Sequence, residues 1–221
     1  MKREIIITKD GSSTINLPEI NEQYHSKNGS IEEAYHVYIK YGLDAFKTNE
    51  KVSIMEAGFG TGLNAFITFL ENRNTSQIID YVGVEAYPVS EEEMKQLNYV
   101  AVLKAEKQAA IFKEMHQSNW EEKIDLSHQF SLTKRKLKFQ HITEKNTYNL
   151  IYFDAFGARV QPELWTEDIF KIMFEALKIN GVLVTYSAKG SVRRAMQSVG
   201  FTVERLPGAA GKREMLRAVK K

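Results

Sequence analysis

The most informative segment of the sequence is MEAGFGTGL, residues 55–63. Mostly apolar residues precede it at 52–54 and follow it at 65–70, a pattern typical of a strand, a glycine-rich turn and a helix. Glycine has no Cβ, so it adopts positive φ easily and lets a ligand approach the backbone closely. The start of the helix also directs its free N–H groups towards that ligand. This stretch predicts a binding site for a small, nucleotide-like molecule.

Length and composition indicate one globular domain of 221 residues. The hydrophobic fraction of 43% and the charged fraction of 26% are ordinary for such a domain, so disorder is not expected outside the ends. The net charge of +2 is too small to indicate a nucleic-acid partner by itself. The absence of cysteine excludes disulfides, thiolate zinc sites and a cysteine nucleophile, and the scattered histidines predict no metal site.

The sequence contains no pattern typical of membrane insertion or secretion. Near the N-terminus, only the short run III at residues 5–7 is apolar before polar residues return, unlike a signal peptide. No apolar run approaches the roughly 18 residues that a membrane-spanning helix needs. We therefore expect a cytoplasmic protein.

Strand and helix patterns alternate along the chain, which predicts an α/β fold with a mostly parallel sheet and helices on both faces. Residues 1–20 are expected to form a small β appendage with a hairpin, and a second hairpin with a basic tip is expected within 128–139. Ser30 is expected to cap the first helix, with Glu33 completing a capping box. The other predicted elements are strands at 77–85, 148–153 and 182–186, helices at 31–46, 90–117 (one or two), 191–199 and from Pro162 to a stop at Asn180-Gly181, and a closing β pair at 201–206 and 214–219.

An acidic residue, Glu85, ends the second predicted strand, and the chain between Gly62 and Glu85 has room for a helix and a return connection. A carboxylate in this place binds a ribose diol in open α/β sheets, so it favours an adenosine cofactor over a purely structural turn. A dinucleotide is not favoured, because no glycine follows Gly60 at the spacing of the dinucleotide motif. S-adenosylmethionine, which contains no pyrophosphate, is the expected cofactor.

The sequence Asp154-Ala155-Phe156 follows the strand predicted at 148–153, at the edge of the sheet where such folds bind ligands. One interpretation is structural, with Asp154 as a helix cap and Phe156 in the core. The other is catalytic: Asp154 accepts a hydrogen bond from an amine substrate and orients its lone pair towards a methylsulfonium group. Methyl transfer depends mainly on such positioning.

Basic residues are concentrated in the second half of the chain, within 134–138, 189–194 and 212–221. Each group alone is typical of a solvated face, whereas several groups beside the cofactor edge would bind RNA phosphates. Residues 208–214 predict either a flexible basic loop that closes on a substrate or an ordinary hairpin loop.

Several motifs, taken in order over residues 20–217, resemble the methyltransferase domain of the MnmC family. These tRNA methyltransferases complete the 5-methylaminomethyl-2-thiouridine modification at the wobble position. The matching motifs are Tyr24-His25-Ser26 with Asn28-Gly29 and Glu33, Gly58-Phe59-Gly60-Thr61-Gly62-Leu63-Asn64, Asp154-Ala155-Phe156 followed by Pro162-Glu163-Leu164-Trp165-Thr166, Thr185 to Ser187, Val192-Arg193-Arg194 with Gly200-Phe201, and Gly211-Lys212-Arg213-Glu214-Met215-Leu216.

The resemblance implies a class I, Rossmann-like methyltransferase domain over residues 1–221, with S-adenosylmethionine as the methyl donor and tRNA as the partner. The acceptor would be the exocyclic amine of 5-aminomethyl-2-thiouridine. No flavin domain is expected in this chain, so other enzymes would supply that amine. The predicted site residues are Asp154 and Phe156 for catalysis, Tyr24, Ser26, Glu56, Gly58, Gly60, Thr61, Gly62, Asn64, Glu85 and His141 for the cofactor, and Lys189, Arg193, Lys212 and Arg213 for RNA.

Position 141 departs from the family pattern. The family usually has Gly-Asp where this chain has Gln140-His141, and the acid recognises the adenine amino group. A neutral imidazole can also accept a hydrogen bond, so His141 is a candidate for this role. Two other functions stay open from the sequence: a methyltransferase of the same fold acting on another amine, in a small molecule or a protein, and a non-catalytic RNA-binding protein.

Overall fold

The structure is a computed structural model that describes residues 2–209 and 211–221. The strands in this part of the chain are β1 (Glu4–Ile7), β2 (Ser13–Leu17), β3 (Glu22–Gln23), β4 (Lys51–Ala57), β5 (Ile78–Val84), β6 (Lys123–Ser127), β7 (Phe130–Arg135), β8 (Tyr148–Phe153), β9 (Leu177–Thr185), β10 (Thr202–Pro207) and β11 (Glu214–Val219). The α-helices are α1 (Ser30–Ala34), α2 (Leu63–Asn72), α3 (Glu91–Met94), α4 (Tyr99–Val102), α5 (Ala109–Gln117), α6 (Glu167–Ala176) and α7 (Gly190–Ser198).

The central sheet has eight strands in the order β10-β11-β9-β8-β4-β5-β7-β6. Five neighbouring strands are parallel, in the order β9, β8, β4, β5 and β7. At the two ends of this group, β11 pairs antiparallel with β9 and β6 pairs antiparallel with β7. Successive side chains point to opposite faces, so Ile54 and Tyr152 pack in one hydrophobic cluster while Met55 and Phe153 pack in the other. Helices α1, α2, α4 and α5 contribute to the first cluster, and α6 and α7 to the second. The predicted α/β fold is confirmed.

The direction in which the chain progresses across the sheet reverses at β4. From β4 the chain proceeds outward through β5 to β6 and β7, and then crosses back to β8 on the other side of β4. In open α/β sheets the loops diverge at such a switch point and leave a crevice at the carboxyl ends of the strands. The two strand ends are joined there, because the Asp154 N–H donates to the Ala57 carbonyl over 2.9 Å. This topology brings the glycine turn and Asp154 together.

The N-terminal segment forms a separate antiparallel sheet of β1, β2 and β3, which confirms the predicted β appendage. Ser13 of β2 connects this sheet to the rest of the protein. Its N–H donates to Asn98 Oδ1 over 2.7 Å, and its hydroxyl accepts from the Asn98 N–H over 3.0 Å. The small sheet therefore packs next to the helices that follow β5.

The cap of α1 differs from the prediction of a capping box at Ser30. Ser30 lies inside the helix, whose N-cap is Gly29. The Asp10 carboxylate instead accepts hydrogen bonds from the N–H groups of Ile31 and Glu32, at 2.9 and 3.2 Å. A carboxylate from the N-terminal hairpin thus satisfies the free donors of the first turn and complements the positive end of the helix dipole.

The predicted hairpin within residues 128–139 is wrong. The antiparallel pair is β6 with β7, its turn lies at residues 128–129, and residues 139–141 form a 3-10 turn outside the sheet. Lys134, expected at an exposed tip, is only 1% exposed and donates to the His116 carbonyl over 2.6 Å. Strand β7 continues through Lys134 because this residue is buried at the same period-two spacing as Phe130 and Leu132. Its ammonium group binds a carbonyl near the C-terminal end of α5.

Three predicted helices have different bounds. Residues 31–46 are divided into α1, a π-helical segment at Tyr35–Lys40 and a 3-10 turn at Leu43–Phe46, and residues 90–117 contain α3, α4, a 3-10 turn and α5. Pro162 begins a 3-10 turn, and α6 follows with the Thr166 hydroxyl as its cap. Asn180-Gly181 does not stop this helix, because α6 ends at Ala176 and both residues lie within β9. Every helix in the described part of the chain is too short or too polar to cross a membrane.

Candidate active site

The glycine turn lies at the carboxyl end of β4, as predicted. Gly58 has a φ of 101° and Gly60 a φ of 49°. A Cβ on Gly58 would lie 2.4 Å from the Asp154 carbonyl oxygen, and a Cβ on Gly60 would lie 3.1 Å from the Tyr24 ring. The Gly58 N–H donates to the Val84 carbonyl over 3.0 Å and holds the turn against the end of β5. Larger residues would therefore collide with the Asp154 backbone or press against the Tyr24 ring.

Glu85 closes the other side of the turn. Its Oε2 accepts from the Gly60 N–H over 3.0 Å, and its Oε1 accepts from the Tyr87 N–H over 2.9 Å. These bonds hold the carboxylate beside the glycines at the end of β5, which is the position where this kind of sheet binds a ribose diol. The structure thus brings the predicted cofactor residues Gly58, Gly60 and Glu85 together.

Beneath the turn, Asn64 connects two carboxylates. Its Nδ2 donates to Glu56 Oε1 and to Asp154 Oδ2, each over 2.8 Å. The Tyr81 hydroxyl donates to Glu56 Oε2 over 2.8 Å, so both oxygens of the buried Glu56 bind protein groups. Burial raises the pKa of Glu56 well above its ordinary value. Glu56 orients Asn64 from below, and a direct contact between Glu56 and a cofactor stays a prediction.

Thr61 anchors the turn from inside the protein. Its buried hydroxyl lies 2.7 Å from His25 Nε2 and 3.0 Å from the Tyr99 hydroxyl. His116 Nε2 donates to the Thr61 carbonyl over 3.1 Å, and the same ring lies against Gly62. Burial lowers the pKa of His25 and of His116 to about 4, so both imidazoles are neutral at pH 7. Thr61 and Gly62 therefore shape the turn, and their contact with a cofactor stays a prediction.

Asp154 forms the opposite wall of the crevice. Burial raises the pKa of its carboxyl group to about 6, against the lowering influence of the Tyr38 hydroxyl and the Asn64 amide. The Tyr38 hydroxyl is buried beside this carboxylate and makes no well-formed hydrogen bond within the described residues. Asp154 is ionised at neutral pH and is a stronger proton acceptor than an ordinary aspartate. Both properties suit a group that orients an amine.

Two aromatic rings pack between the glycine turn and the loop after β8. Phe156 and Tyr24 meet edge to face, with 4.9 Å between the ring centroids. The Trp165 Nε1 donates to the Phe156 carbonyl over 2.8 Å and fixes this loop. The predicted residues Tyr24 and Phe156 are therefore neighbours, and Tyr24 also lies against Gly60.

Glu33 and Tyr186 also belong to this site, although the sequence did not predict them as site residues. The buried Glu33 accepts from the Ser26 N–H over 3.3 Å and forms an ion pair with Lys212. The Lys212 ammonium lies 4.0 Å from the centroid of the Tyr186 ring. These contacts join residues that are far apart in the sequence, so only the presence of Glu33 in the MnmC-like motif could have indicated its role.

The predicted RNA-binding residues surround one open cleft. The cleft has a volume of about 430 Å³ and is lined by residues 186–189 and 212–214. Lys189 and Arg213 are exposed there, whereas Lys212 is partly buried beside Glu33. Arg193 lies one helical turn along α7, where its N–H donates to the Lys189 carbonyl over 3.0 Å. The structure therefore places three of the four predicted residues on the cleft and the fourth next to it.

His141 ends the 3-10 turn at Phe139–His141 and is exposed. This turn follows β7, which is the parallel neighbour of β5, so His141 lies at the same edge of the sheet as Glu85, beyond the carboxyl ends of the strands. Its position is compatible with recognition of an adenine. That role stays a prediction.

The fold and the crevice define a class of protein. A glycine turn follows the central strand β4, Glu85 follows the neighbouring strand β5, and Asp154 faces them across a switch point. The family model described as S-adenosyl-L-methionine-dependent methyltransferase matches residues 96–221, which is more than half of the chain. The chain belongs to this family of enzymes, and its methyl donor is S-adenosylmethionine.

More particularly, the chain is similar to proteins named "tRNA 5-methylaminomethyl-2-thiouridine biosynthesis bifunctional protein MnmC". It is 28% identical over 226 residues to the protein of Cupriavidus metallidurans, covering 96% of this chain and 33% of that protein. It is 30% identical over 212 residues to the protein of an Azoarcus species, covering 88% of this chain and 32% of that protein. The chain thus spans about a third of the length of these curated relatives. The resemblance predicted from the motifs is confirmed.

The fold is similar to a crystal structure described as MNMC2 from Aquifex aeolicus. The TM-score is 0.78, the sequence identity is 24%, and the match covers 100% of this chain and 70% of that chain. The class I fold predicted from the sequence is therefore confirmed.

The residues of the crevice fit S-adenosylmethionine. A Cβ at Gly60 would narrow the crevice, and Glu85 presents a carboxylate beside it. Asn64 Oδ1 is buried without a hydrogen-bond partner in residues 2–209 and 211–221, which leaves an unused acceptor beneath the turn. When bound, S-adenosylmethionine supplies an electrophilic methyl group. We expect Gly58, Gly60 and Glu85 to hold it.

Proposed function

We propose that this chain methylates the exocyclic amine of 5-aminomethyl-2-thiouridine at the wobble position of tRNA. The relatives that it matches are named for tRNA 5-methylaminomethyl-2-thiouridine biosynthesis. The observation that carries the proposal is the Asp154 carboxylate, which Asn64 holds at the switch point beside the glycine turn. Only methyl transfer is attributed to residues 1–221, as one domain.

The chemistry follows from the state of Asp154. A primary alkylamine is mostly protonated at neutral pH, and its nitrogen is nucleophilic only after it loses a proton. The raised pKa of Asp154, about 6, reduces the difference in acidity between the ammonium group and its acceptor. The carboxylate also holds the nitrogen in place, so that its lone pair is directed along one line. The rings of Phe156 and Tyr24, which pack edge to face beside the glycine turn, would limit access of water to the same region once a substrate is bound.

A tRNA substrate requires contacts that a small amine does not. Lys189 and Arg213 are exposed on the open cleft, where their charges can bind the phosphates that flank the modified nucleotide. Arg193 lies one helical turn further along α7, with its backbone next to Lys189. A tRNA partner would place the enzyme in the cytoplasm.

The test is mass spectrometry of tRNA nucleosides from cells with and without this protein. Loss of the protein should cause 5-aminomethyl-2-thiouridine to accumulate and 5-methylaminomethyl-2-thiouridine to disappear, and the wild-type gene should reverse both changes. An unchanged nucleoside profile would contradict the proposal. If the purified protein then methylates simple alkylamines, another amine is the substrate; if it binds tRNA without transferring methyl groups, it is a non-catalytic RNA-binding protein.

A further inference from the structure

The chain holds one of its own primary ammonium groups inside the candidate active site. Lys212, between β10 and β11, forms an ion pair with Glu33, and its ammonium group lies 4.0 Å from the centroid of the Tyr186 ring. The Glu33 side chain is only 10% exposed, so the pair is largely removed from solvent on the carboxylate side. A carboxylate combined with an aromatic face is an arrangement that binds ammonium ions. Glu33 and Tyr186 therefore form an ammonium-binding site that Lys212 fills.

This ammonium site lies next to Asp154. The Tyr186 hydroxyl donates to the Ala155 carbonyl over 2.8 Å, which fixes the aromatic ring to the residue that follows Asp154. The charges of Glu33 and Lys212 also act in opposite directions on the pKa of Asp154. Tyr186 and Lys212 line the open cleft of about 430 Å³. The site is thus placed between the cleft and the group that orients the amine.

We infer that Glu33 and Tyr186 bind the protonated aminomethyl group of the substrate, and that Lys212 occupies this subsite until the substrate displaces it. The chemical match is close, because a lysine side chain and the aminomethyl substituent both end in a CH₂–NH₃⁺ group. The inference rests on the proposed function, since it identifies where the acceptor of that reaction binds. The displaced Lys212 then becomes available to a phosphate at the cleft.

Exchange of one ammonium group for another is physically inexpensive. Glu33 is paired with a cation both before and after the exchange, so no uncompensated buried carboxylate is created. In the described part of the loop that carries Lys212, the Lys212 N–H donates to the Ala209 carbonyl over 2.8 Å and the Gly208 N–H donates to the Arg213 carbonyl over 3.2 Å, and neither bond involves the Lys212 ammonium group. A ligand without an ammonium group cannot make this exchange, so the subsite selects amines.

The test measures binding of two nucleosides to the purified chain with S-adenosylhomocysteine, so that no transfer occurs. The probes are 5-aminomethyl-2-thiouridine and 5-methyl-2-thiouridine, which lacks the amine. Lys212→Met removes the competing ammonium group and keeps an apolar stem. It should tighten binding of the aminomethyl probe about tenfold, as expected when a subsite occupied roughly nine-tenths of the time is vacated. Binding of the methyl probe should not change, and Lys171→Met, an exposed control on α6, should change neither.

Glu33→Gln should abolish the preference for the aminomethyl probe, with or without Lys212→Met. Thermal unfolding and S-adenosylhomocysteine binding report whether this buried substitution still folds; if it does not, the Lys212→Met comparison decides alone. If the wild type prefers the aminomethyl probe but Lys212→Met gives no gain, the inference is overturned and the proposed function stands. If neither the wild type nor Lys212→Met distinguishes the two probes, the inference and the proposed substrate both fail.

Discussion

Replacing Asp154 with asparagine should stabilise the folded protein and remove most of its methyl transfer. Burial raises the pKa of this carboxyl group from 3.8 to about 6. One pKa unit corresponds to about 1.4 kcal/mol, so the ionised carboxylate costs up to about 3 kcal/mol of folding free energy at neutral pH. Asparagine has a similar shape, carries no charge and keeps an oxygen for the Asn64 amide. We therefore expect the free energy of unfolding to rise by up to about 3 kcal/mol.

The pH dependence of this stability difference has a fixed sign. Below the ordinary value of 3.8, the folded and unfolded wild type both hold the proton, and the substitution changes little. Between pH 3.8 and about 6 only the folded state holds the proton on Asp154, so the wild type loses stability as the pH rises. The stability difference between Asp154→Asn and the wild type therefore increases over this range. Above about 6 the difference is constant. Urea unfolding of both proteins at several pH values across this range measures it directly.

The same substitution should slow methyl transfer about 10²- to 10⁴-fold, the usual contribution of a positioned proton acceptor. The assay is single-turnover transfer of radiolabelled methyl groups to tRNA at saturating cofactor, with cofactor affinity measured separately and expected to be unchanged. Asp80→Asn is the matched control. There, the hydrogen bonds from Lys123 and Ser131 outweigh burial and lower the pKa, so its substitution should destabilise the fold at neutral pH and leave transfer intact. A destabilised Asp154→Asn protein, or near-normal transfer, would refute this reasoning.

Other substitutions separate the cofactor region from the RNA surface. Glu85→Ala should weaken S-adenosylmethionine binding about tenfold or more, as measured by calorimetry, because it removes a charged acceptor beside the turn. Gly60→Ala should also weaken S-adenosylmethionine binding, since a Cβ would lie 3.1 Å from the Tyr24 ring at a position with positive φ, and its effect on folding stability should be smaller than its effect on binding. Unchanged cofactor affinity in Gly60→Ala would contradict the position of the cofactor beside this turn. Lys189→Glu combined with Arg213→Glu should weaken tRNA binding and reduce its salt slope by about two, and an unchanged slope would exclude this cleft from the RNA interface.

The parts of the fold that depend on local patterns could be predicted from the sequence. The strand, turn and helix around residues 55–63 follow from the order of apolar residues and glycines. Glu85 and Asp154 each follow a buried strand directly, and parallel strands place such residues at one edge of the sheet. The α/β topology alone was therefore enough to predict that both residues lie near the glycine turn.

The errors arose where a distant residue replaces a local partner. Asp10 caps α1 from the N-terminal hairpin, so the helix does not need Ser30. Lys134 continues a strand because its ammonium group reaches the His116 carbonyl, although the basic run at 134–136 was expected at an exposed tip. Local sequence propensities do not predict either of these long-range contacts.

The acceptor side of the site was only partly predictable for the same reason. Asp154 and Phe156 are adjacent to a strand end and could be identified, whereas Glu33 becomes part of the site only through its ion pair with Lys212. This pair joins the helix after the N-terminal sheet to the loop before the last strand. The sequence placed Lys212 among RNA-binding residues, and the structure adds its contact with Tyr186.

Reconstitution of the reaction from purified components tests directly whether this protein methylates the tRNA amine. Purified protein is incubated with S-adenosylmethionine and tRNA that carries 5-aminomethyl-2-thiouridine, and the tRNA nucleosides are then analysed by mass spectrometry. We predict conversion to 5-methylaminomethyl-2-thiouridine that requires the cofactor and is lost in Asp154→Asn. An unconverted nucleoside in the presence of protein that binds both S-adenosylmethionine and tRNA would contradict it.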